Sequence, residues 1–207
     1  DICENIVERN HEAGDFEQFN LDIIMNLAVE SPFTEKEFKE MSVKEMIEKL
    51  HAGVWEAYKH KMNKIAQQVA PVIKDVYEKQ GAQYENMVVP ISDGIHVYQI
   101  LFNLKKGAES NGAEMIKSFE KLAILMNIDD AWREHLREMD DLKQSVQNAA
   151  YEQKDPLLIY KFESFKLFRT MIENVNKQIV SLLMKGHVHS PEQNQPQRQQ
   201  APHKIDL

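Results

Sequence analysis

Two long stretches of helical periodicity dominate the second half of the chain, residues 113–149 and 157–185. In both, apolar side chains recur every three or four positions, which is the spacing of one helix face and excludes the alternation of a strand. The pattern therefore predicts two long amphipathic helices. Their apolar positions are Phe119, Leu122, Leu125, Ile128, Trp132, Leu136, Met139, Leu142, Val146 and Ala149, then Leu158, Phe162, Phe165, Phe168, Ile172, Val175, Ile179 and Leu182.

The segment between the two stretches is short and carries helix-start signals. Asp155 suits the N-cap position, because its carboxylate can accept hydrogen bonds from free amides, and Pro156 suits the first helical position. Gly186 is placed to end the second helix. Because the connection is short, we expect an antiparallel hairpin, with Trp132 midway along its first arm. If the Trp132 ring is fully buried, Trp132→Ala should cost about 3 to 5 kcal/mol.

The first half of the chain also favours helices. Capping boxes, in which Ser or Thr stands three residues before Glu, mark helix starts at Thr34 and Ser42. Asp15 is placed to cap an earlier helix. From Ser42 the helical spacing continues to Gly81, although Pro71 is expected to kink or interrupt this helix.

The periodicity changes to that of strands between residues 87 and 100. Two β-rich runs, 87–91 and 95–100, flank the sequence Ser92-Asp93-Gly94, which favours a hairpin turn. Pro90 has no amide N–H to donate, so it is expected to confine its strand to a sheet edge.

Three regions follow from these patterns. Residues 1–110 form a helical unit with a small β-hairpin, residues 111–188 form the long helical hairpin, and the Gln- and Pro-rich residues 189–207 are expected to be disordered. Asn111 and Glu114 have the spacing of a capping box at the start of the second region. The predicted fold class is therefore mainly α: a long antiparallel helical hairpin attached to a helical domain that carries a small β-hairpin.

Composition narrows the functional classes. The chain has 207 residues, 43% of them hydrophobic, which is enough for a sizeable core. Its formal charge of −8 gives no basic surface for nucleic acid, so no nucleic-acid partner is expected. Cys3 is the only cysteine, which forbids an internal disulfide and a cysteine-based zinc site. The chain begins without Met or a signal-peptide pattern, and we expect it to be a piece of a larger protein.

Motifs for catalysis are not apparent. There is no Gly-rich phosphate loop and no nucleophile turn, so no nucleotide or other cofactor is expected to bind these residues. Asp130 and Glu134 share a helix face, but His135 is turned by about 100° from Glu134, so we favour a solvated face over a metal site. The pair His187 and His189 could touch a metal, but solvated histidines are the simpler interpretation.

Tyr151 is the other candidate, because it lies in the turn between the two arms among polar neighbours. An exposed aromatic ring there can contact an apolar partner chain while its hydroxyl stays hydrated. Position alone leaves two interpretations open, contact with a partner and packing of the turn against the helices, and it favours packing.

Four motifs in residues 128–184 resemble a known family. They are W-[KR]-E-H-L beginning at Trp132, M-D-x-L at Met139, Y-x-Q-K-D-P at Tyr151 and Y-K-x-E-S-F at Tyr160. In this order and at these separations they resemble the two-helix finger and adjoining scaffold of SecA, the bacterial preprotein translocase motor. The resemblance implies that residues 1–110 correspond to the helical wing domain of that family.

The resemblance also implies roles for particular residues. In the family the finger enters the mouth of the SecY channel and its tip contacts an unfolded secretory preprotein. Tyr151 matches the fingertip aromatic, with Ala150, Glu152 and Asn148 beside it as further polypeptide contacts.

The motif at the centre of the first arm has a different implied role. Trp132, Glu134 and His135 fall in W-[KR]-E-H-L, and the resemblance implies that they pack the helix and contact the motor domains of the parent chain.

No catalytic, cofactor-binding or metal-binding residue is assigned, because the nucleotide-binding domains of the family have no counterpart here. ATP and Mg²⁺ are implied only for the full-length parent, and these residues alone are not expected to form an enzyme. The implied location is cytoplasmic, peripherally associated with the inner side of the bacterial plasma membrane. Exposed apolar arms also favour a homo-oligomer. The alternative is a helical coiled-coil adaptor that binds a partner helix through its apolar stripe.

Overall fold

The computed structural model describes residues 2–149 and 155–189, except for the side chains of 147–149. Helices dominate these ranges, so the predicted fold class, mainly α with a long helical hairpin and a small β-hairpin, is confirmed. The elements are α1 (Ile2–Ala13), α2 (Phe16–Leu27), α3 (Glu35–Glu40), α4 (Val43–Gln80), β1 (Asn86–Ser92), β2 (Val97–Asn103), α5 (Leu104–Glu109), α6 (Ala113–Ala149), α7 (Pro156–Lys185) and β3 (His187–Val188).

The helix starts of the first half follow the predicted caps. Asp15 Oδ1 accepts the Gln18 amide at 2.9 Å at the start of α2. Thr34 and Ser42 each form a complete capping box, in which the carboxylate three residues on accepts the amide of the cap residue. These starts are local in origin, because the groups that make them lie within four residues of one another.

Of the kink or interruption expected at Pro71, the interruption is wrong, because α4 runs through the proline without a break from Val43 to Gln80, and the kink stays a prediction. A proline inside a helix removes one backbone hydrogen bond. Here Val69 and Ile73, two positions before and after the proline, are buried in the core. Packing of this face therefore holds the helix through the proline.

The sheet has the strand order β2-β1-β3, with both pairings antiparallel, so the expectation that Pro90 lies on an edge strand is also wrong. Strand β3 pairs only with Ile91 and Ser92, and beyond it the His189 amide donates to the Pro90 carbonyl at 2.9 Å. Pro90 cannot donate in return. The ladder between β1 and β3 therefore ends at Pro90. A proline fits in this central strand because β3 needs no hydrogen bond from its nitrogen.

The turn between β1 and β2 is organised by Asp93. Its Oδ1 accepts the amides of Ile95 at 2.8 Å and His96 at 2.7 Å, so β2 begins at Val97, two residues later than predicted. Burial raises the pKa of the Asp93 carboxyl, but these amide hydrogen bonds oppose it and the pKa falls to about 2.

The start of α6 differs from the predicted capping box. The Glu114 amide donates to Ser110 Oγ at 3.0 Å, whereas Asn111 has a left-handed φ of 52°. Gly112 follows with a φ of 86°, and a Cβ at Gly112 would lie 2.7 Å from the Ala66 carbonyl oxygen of α4. The entry into α6 is therefore set by its close approach to α4, which the local sequence does not show.

Two hydrophobic clusters form the core of the described residues. The first joins α1, α2, α3 and the start of α4 around Phe19, Ile23 and Leu50. The second joins the rest of α4, the sheet, α6 and the end of α7 around Ile73, Ile100 and Phe119. The second cluster includes residues on both sides of position 110, and the division into domains there stays a prediction. None of the described helices is long and apolar enough to cross a membrane.

Gly112→Ala is expected to destabilise the chain more than Gly94→Ala. Both glycines have a left-handed φ, 86° and 93°, so backbone strain costs about 1 to 2 kcal/mol in each variant. Only at Gly112 does the new Cβ meet a backbone carbonyl, which adds about 1 to 3 kcal/mol. Denaturant titration measures both free energies of unfolding, and equal losses would contradict the close approach of α6 to α4.

Candidate functional site

The base of the α6–α7 hairpin is tightly packed. Phe119 of α6 is completely buried, and a Cβ at Gly186 would lie 2.6 Å from the Phe119 Cζ. Gly186 also caps α7 as predicted, with its amide donating to the Leu182 carbonyl at 2.8 Å. The end of α7 can therefore lie directly against the Phe119 ring only because residue 186 has no side chain.

Two polar contacts connect this base to α4. Lys61 Nζ donates to the Met184 carbonyl oxygen near the end of α7, where helical carbonyls lack partners within the helix. Burial lowers the pKa of Lys61 to about 8. The Tyr58 hydroxyl donates to the Glu120 carboxylate of α6, and burial together with that hydrogen bond raises the Tyr58 pKa. Helix α4 is thus joined to both arms.

Midway along the hairpin, His135 lies buried between the arms. Its ring centroid is 5.6 Å from that of Trp132 on α6 and 5.9 Å from that of Phe168 on α7. Only 6% of its surface is exposed, and its Nδ1 has no hydrogen-bond partner among the described residues. A buried nitrogen without a partner costs about 1 to 3 kcal/mol, so the ring packing has to offset that cost.

Trp132 is not fully buried: 47% of its surface is exposed. Its neighbours along the predicted stripes are exposed to a similar or greater extent, up to 68% at Phe165. Two helices bury only the line along which they touch, and the described residues place no third layer over this face. The hairpin therefore carries an exposed apolar face, formed by Leu125, Ile128, Trp132 and Leu136 on α6 and Leu158, Phe162, Phe165, Phe168 and Ile172 on α7.

Asp130 and Glu134 lie on the solvated side of α6. Asp130 pairs with Arg133 at 2.7 Å and Glu134 with Arg137 at 2.8 Å, and all four side chains are mostly exposed. Such surface pairs contribute about 0 to 1 kcal/mol. Within residues 2–149 and 155–189, no three His, Cys, Asp or Glu side chains lie close enough together to hold a metal ion.

The tip of the hairpin is only partly described. Asp155 caps α7 as predicted, its Oδ1 accepting the Leu157 amide at 2.9 Å. Asn148 belongs to the last turn of α6, whereas Ala150, Tyr151 and Glu152 lie outside the described residues. The end of α6 at Ala149 is 26 residues beyond the buried Ala123, which at the helical rise places the tip about 40 Å from the base.

Sequence reasoning missed the residues that hold the base. Lys61 carries no motif, and its role depends on a carbonyl 123 positions away along the chain. The solvated face favoured for the cluster of Asp130, Glu134 and His135 is wrong at His135, which is buried. The stripe of hydrophobic positions does not include His135, and only the family resemblance implied that it packs the helix. Gly112 and Gly186 gave a partial signal, since a glycine at either end of a long helical segment often marks a close approach.

Comparisons with known proteins agree with the resemblance in the motifs. The family model described as the SecA Wing and Scaffold domain matches residues 1–187. The protein translocase subunit SecA of Parabacteroides distasonis is 47% identical over 192 residues, covering 93% of this chain and 17% of that relative. The same subunit from Bacteroides thetaiotaomicron is 46% identical over 207 residues, covering 100% of this chain and 18% of that relative. The chain therefore spans less than a fifth of these curated relatives.

Trp132→Ala is expected to lower the free energy of unfolding by less than Phe119→Ala does. The half-exposed Trp132 ring has about half of its burial to lose, about 1 to 2 kcal/mol, whereas the fully buried Phe119 should cost about 3 to 5 kcal/mol. Both values come from denaturant titration followed by circular dichroism. A loss at Trp132 as large as that at Phe119 would mean that the ring is covered in solution, for example by a second chain.

Proposed function

The chain belongs to the SecA wing and scaffold family, and from that membership we propose that it acts in protein translocation as the part that contacts the translocating polypeptide. The family and the names of the relatives support the general role. The proposal goes further in assigning contacts with the preprotein and the channel. These contacts are inferred from the shape of the hairpin, which is fixed at its base and extended toward its tip.

The observation that carries the proposal is the contrast between the two ends of the hairpin. At the base, α4, α6 and α7 share one core with the sheet, so the arms are fixed there. Toward the tip, the described residues of each arm pack against the other arm and against no further element, and the arms extend about 40 Å from the base. A helical hairpin held at one end is suited to reach into a channel mouth and touch a moving chain.

Tyr151 is the proposed centre of polypeptide contact, with Ala150, Glu152 and Asn148 around it. A client chain has no fixed sequence, so its contact has to tolerate many side chains. A flat amphipathic ring does so through apolar surface and a hydrated hydroxyl, without requiring one hydrogen-bond pattern.

The partners proposed for the longer protein are an unfolded secretory preprotein, the SecY channel complex and the motor domains of the parent chain. Trp132 and Glu134 are exposed on α6 and are available for contact with the motor domains, whereas the buried His135 serves to pack the arms. ATP and Mg²⁺ belong to the motor domains in this proposal. The proposed location is the cytoplasm, at the inner side of the plasma membrane.

A helical adaptor is the second candidate, and the exposed apolar face of the hairpin favours it. Such a face can take a partner helix, or a second copy of the chain, without any contact with a client. A translocase part and an adaptor differ in the state of the protein that they bind. A translocase part prefers a reduced, unfolded precursor to the same precursor folded, and an adaptor shows no such preference.

Substitutions of Tyr151 test the fingertip assignment in the full-length protein. Tyr151→Phe should keep most ATP-driven import of a precursor into SecY-containing vesicles, while Tyr151→Ala and Tyr151→Gly should lose much of it. If the Tyr151 ring contacts the client and not the helices, its replacement should change stability by no more than about 0.5 kcal/mol. Bulk therefore matters more than the hydroxyl.

Tyr84→Ala is the matched control, because Tyr84 is an exposed tyrosine far from the tip in sequence, next to β1. It should leave import unchanged. Full import by the Tyr151→Gly protein would contradict the fingertip assignment. A loss of import that is accompanied by a proportionate drop in melting temperature would contradict it as well.

A further inference from the structure

The strand β2 is the open edge of the sheet. Among the described residues, the order β2-β1-β3 gives it a neighbouring strand on one side only, and its sequence Val-Tyr-Gln-Ile-Leu-Phe-Asn contains no charged residue and no proline. Natural sheets usually protect their edges with charges, prolines, bulges or very short strands. This edge is seven residues long and has no charge or proline to protect it.

The register shows which backbone groups face the open side. In an antiparallel ladder, hydrogen-bonded pairs alternate with pairs whose backbone groups point away from the partner strand. The Leu104 amide donates to the Glu85 carbonyl at 2.9 Å, so that pair is hydrogen-bonded. Alternation along the register from this pair places Val97, Gln99 and Leu101 in the pairs that point away from β1.

Two other hydrogen bonds agree with this alternation. At the turn, the Asp93 amide donates to the His96 carbonyl at 3.3 Å, as a hydrogen-bonded pair should. On the far side of β1, the His189 amide donates to the Pro90 carbonyl, which therefore faces β3 and not Gln99. The N–H and carbonyl groups of the three outward residues of β2 thus point toward the open edge.

The side chains complete an apolar strip beside these groups. Leu101 is 61% exposed, and Val97 and the facing Val88 of β1 are exposed too, whereas Ile100 and Phe102 are buried and hold β2 on the core. Outside the β1–β2 ladder, no hydrogen bond within residues 2–149 and 155–189 engages the backbone of β2 between Val97 and Leu101. Helix α6 packs against β2 and fixes it in place, and within the described residues no strand pairs with the outer side of β2.

We propose that the β2 edge binds an extended segment of unfolded polypeptide as an added strand. This inference rests on the proposed function, which supplies an unfolded client. Main-chain hydrogen bonds give such binding little dependence on sequence, which suits clients that share none. The opposite edge of the same sheet already receives β3 from the far end of the chain.

A second copy of the chain is the less suitable occupant. Two copies would each bring a formal charge of −8, and this repulsion opposes their close approach. An extended apolar segment without charges meets no such repulsion. The outward residues from Val97 to Leu101 span about 14 Å, enough to pair with about five residues of an incoming strand.

Hydrogen exchange of the 207-residue chain tests the proposal, with a synthetic peptide of alternating Thr and Val and a Lys at each end as the probe. The peptide should slow exchange about tenfold or more at the amides of Val97, Gln99 and Leu101. A peptide with N-methyl groups on the amides that would pair should have no effect.

The variants Gln99→Pro and Gln99→Thr form a matched pair. Proline removes the outward N–H without removing a hydrogen bond to β1, so it should weaken peptide binding by about tenfold, while threonine should keep it within about twofold. Thermal melting shows whether both variants fold. Should Gln99→Pro fail to fold, Leu101→Lys replaces it, since a charge on the apolar strip should also weaken binding.

Unchanged exchange at saturating peptide would overturn the proposal, as would equal binding by the folded variants. Protection of the edge without peptide, at concentrations where the chain dimerises, would assign the edge to a second copy and overturn it too. A reduced precursor separates this inference from the proposed function. If it binds but leaves β2 exchange unchanged, only the edge site fails; if it does not bind at all, the proposed function fails as well.

Discussion

The rest of the structure depends on the close packing at the base of the hairpin. There the Phe119 ring fills the space beside Gly186, and Lys61 binds the last turn of α7 through the Met184 carbonyl. Protein interiors are close-packed, so a side chain at Gly186 would force the end of α7 away from α6. Within the part of the chain that the structure describes, no third layer covers the two long helices, so their contact with each other leaves one face exposed and they need such a fixed end.

That uncovered face connects the packing to the proposed role. Rings such as Phe165 stay exposed because a pair of helices cannot bury the whole width of both apolar stripes. In the longer relatives, other parts of the protein are available to cover them, since this chain spans less than a fifth of those sequences. The base and the exposed face together describe an arm that is fixed at one end and ready for contacts along its length.

Local sequence predicted the features that local groups decide. Asp155 and Thr34 cap their helices as expected, because a cap and its amides lie within four residues of one another. Features set by distant partners did not follow from local periodicity. Examples are the buried His135, whose surroundings include a ring on the other arm, and the central strand that contains Pro90. Tyr151 as the site of polypeptide contact stays a prediction.

Rigidity of the arm is the central claim, and a distance measurement between its base and its distal part tests it most directly. Nitroxide labels at His60→Cys on α4 and Lys143→Cys on α6, both exposed positions, are placed in a Cys3→Ser background that leaves no other cysteine. Pulsed electron paramagnetic resonance should give one narrow distance distribution, because the base packing fixes α6 relative to α4. A broad or two-peaked distribution would show that the arm swings about its base and would contradict the account.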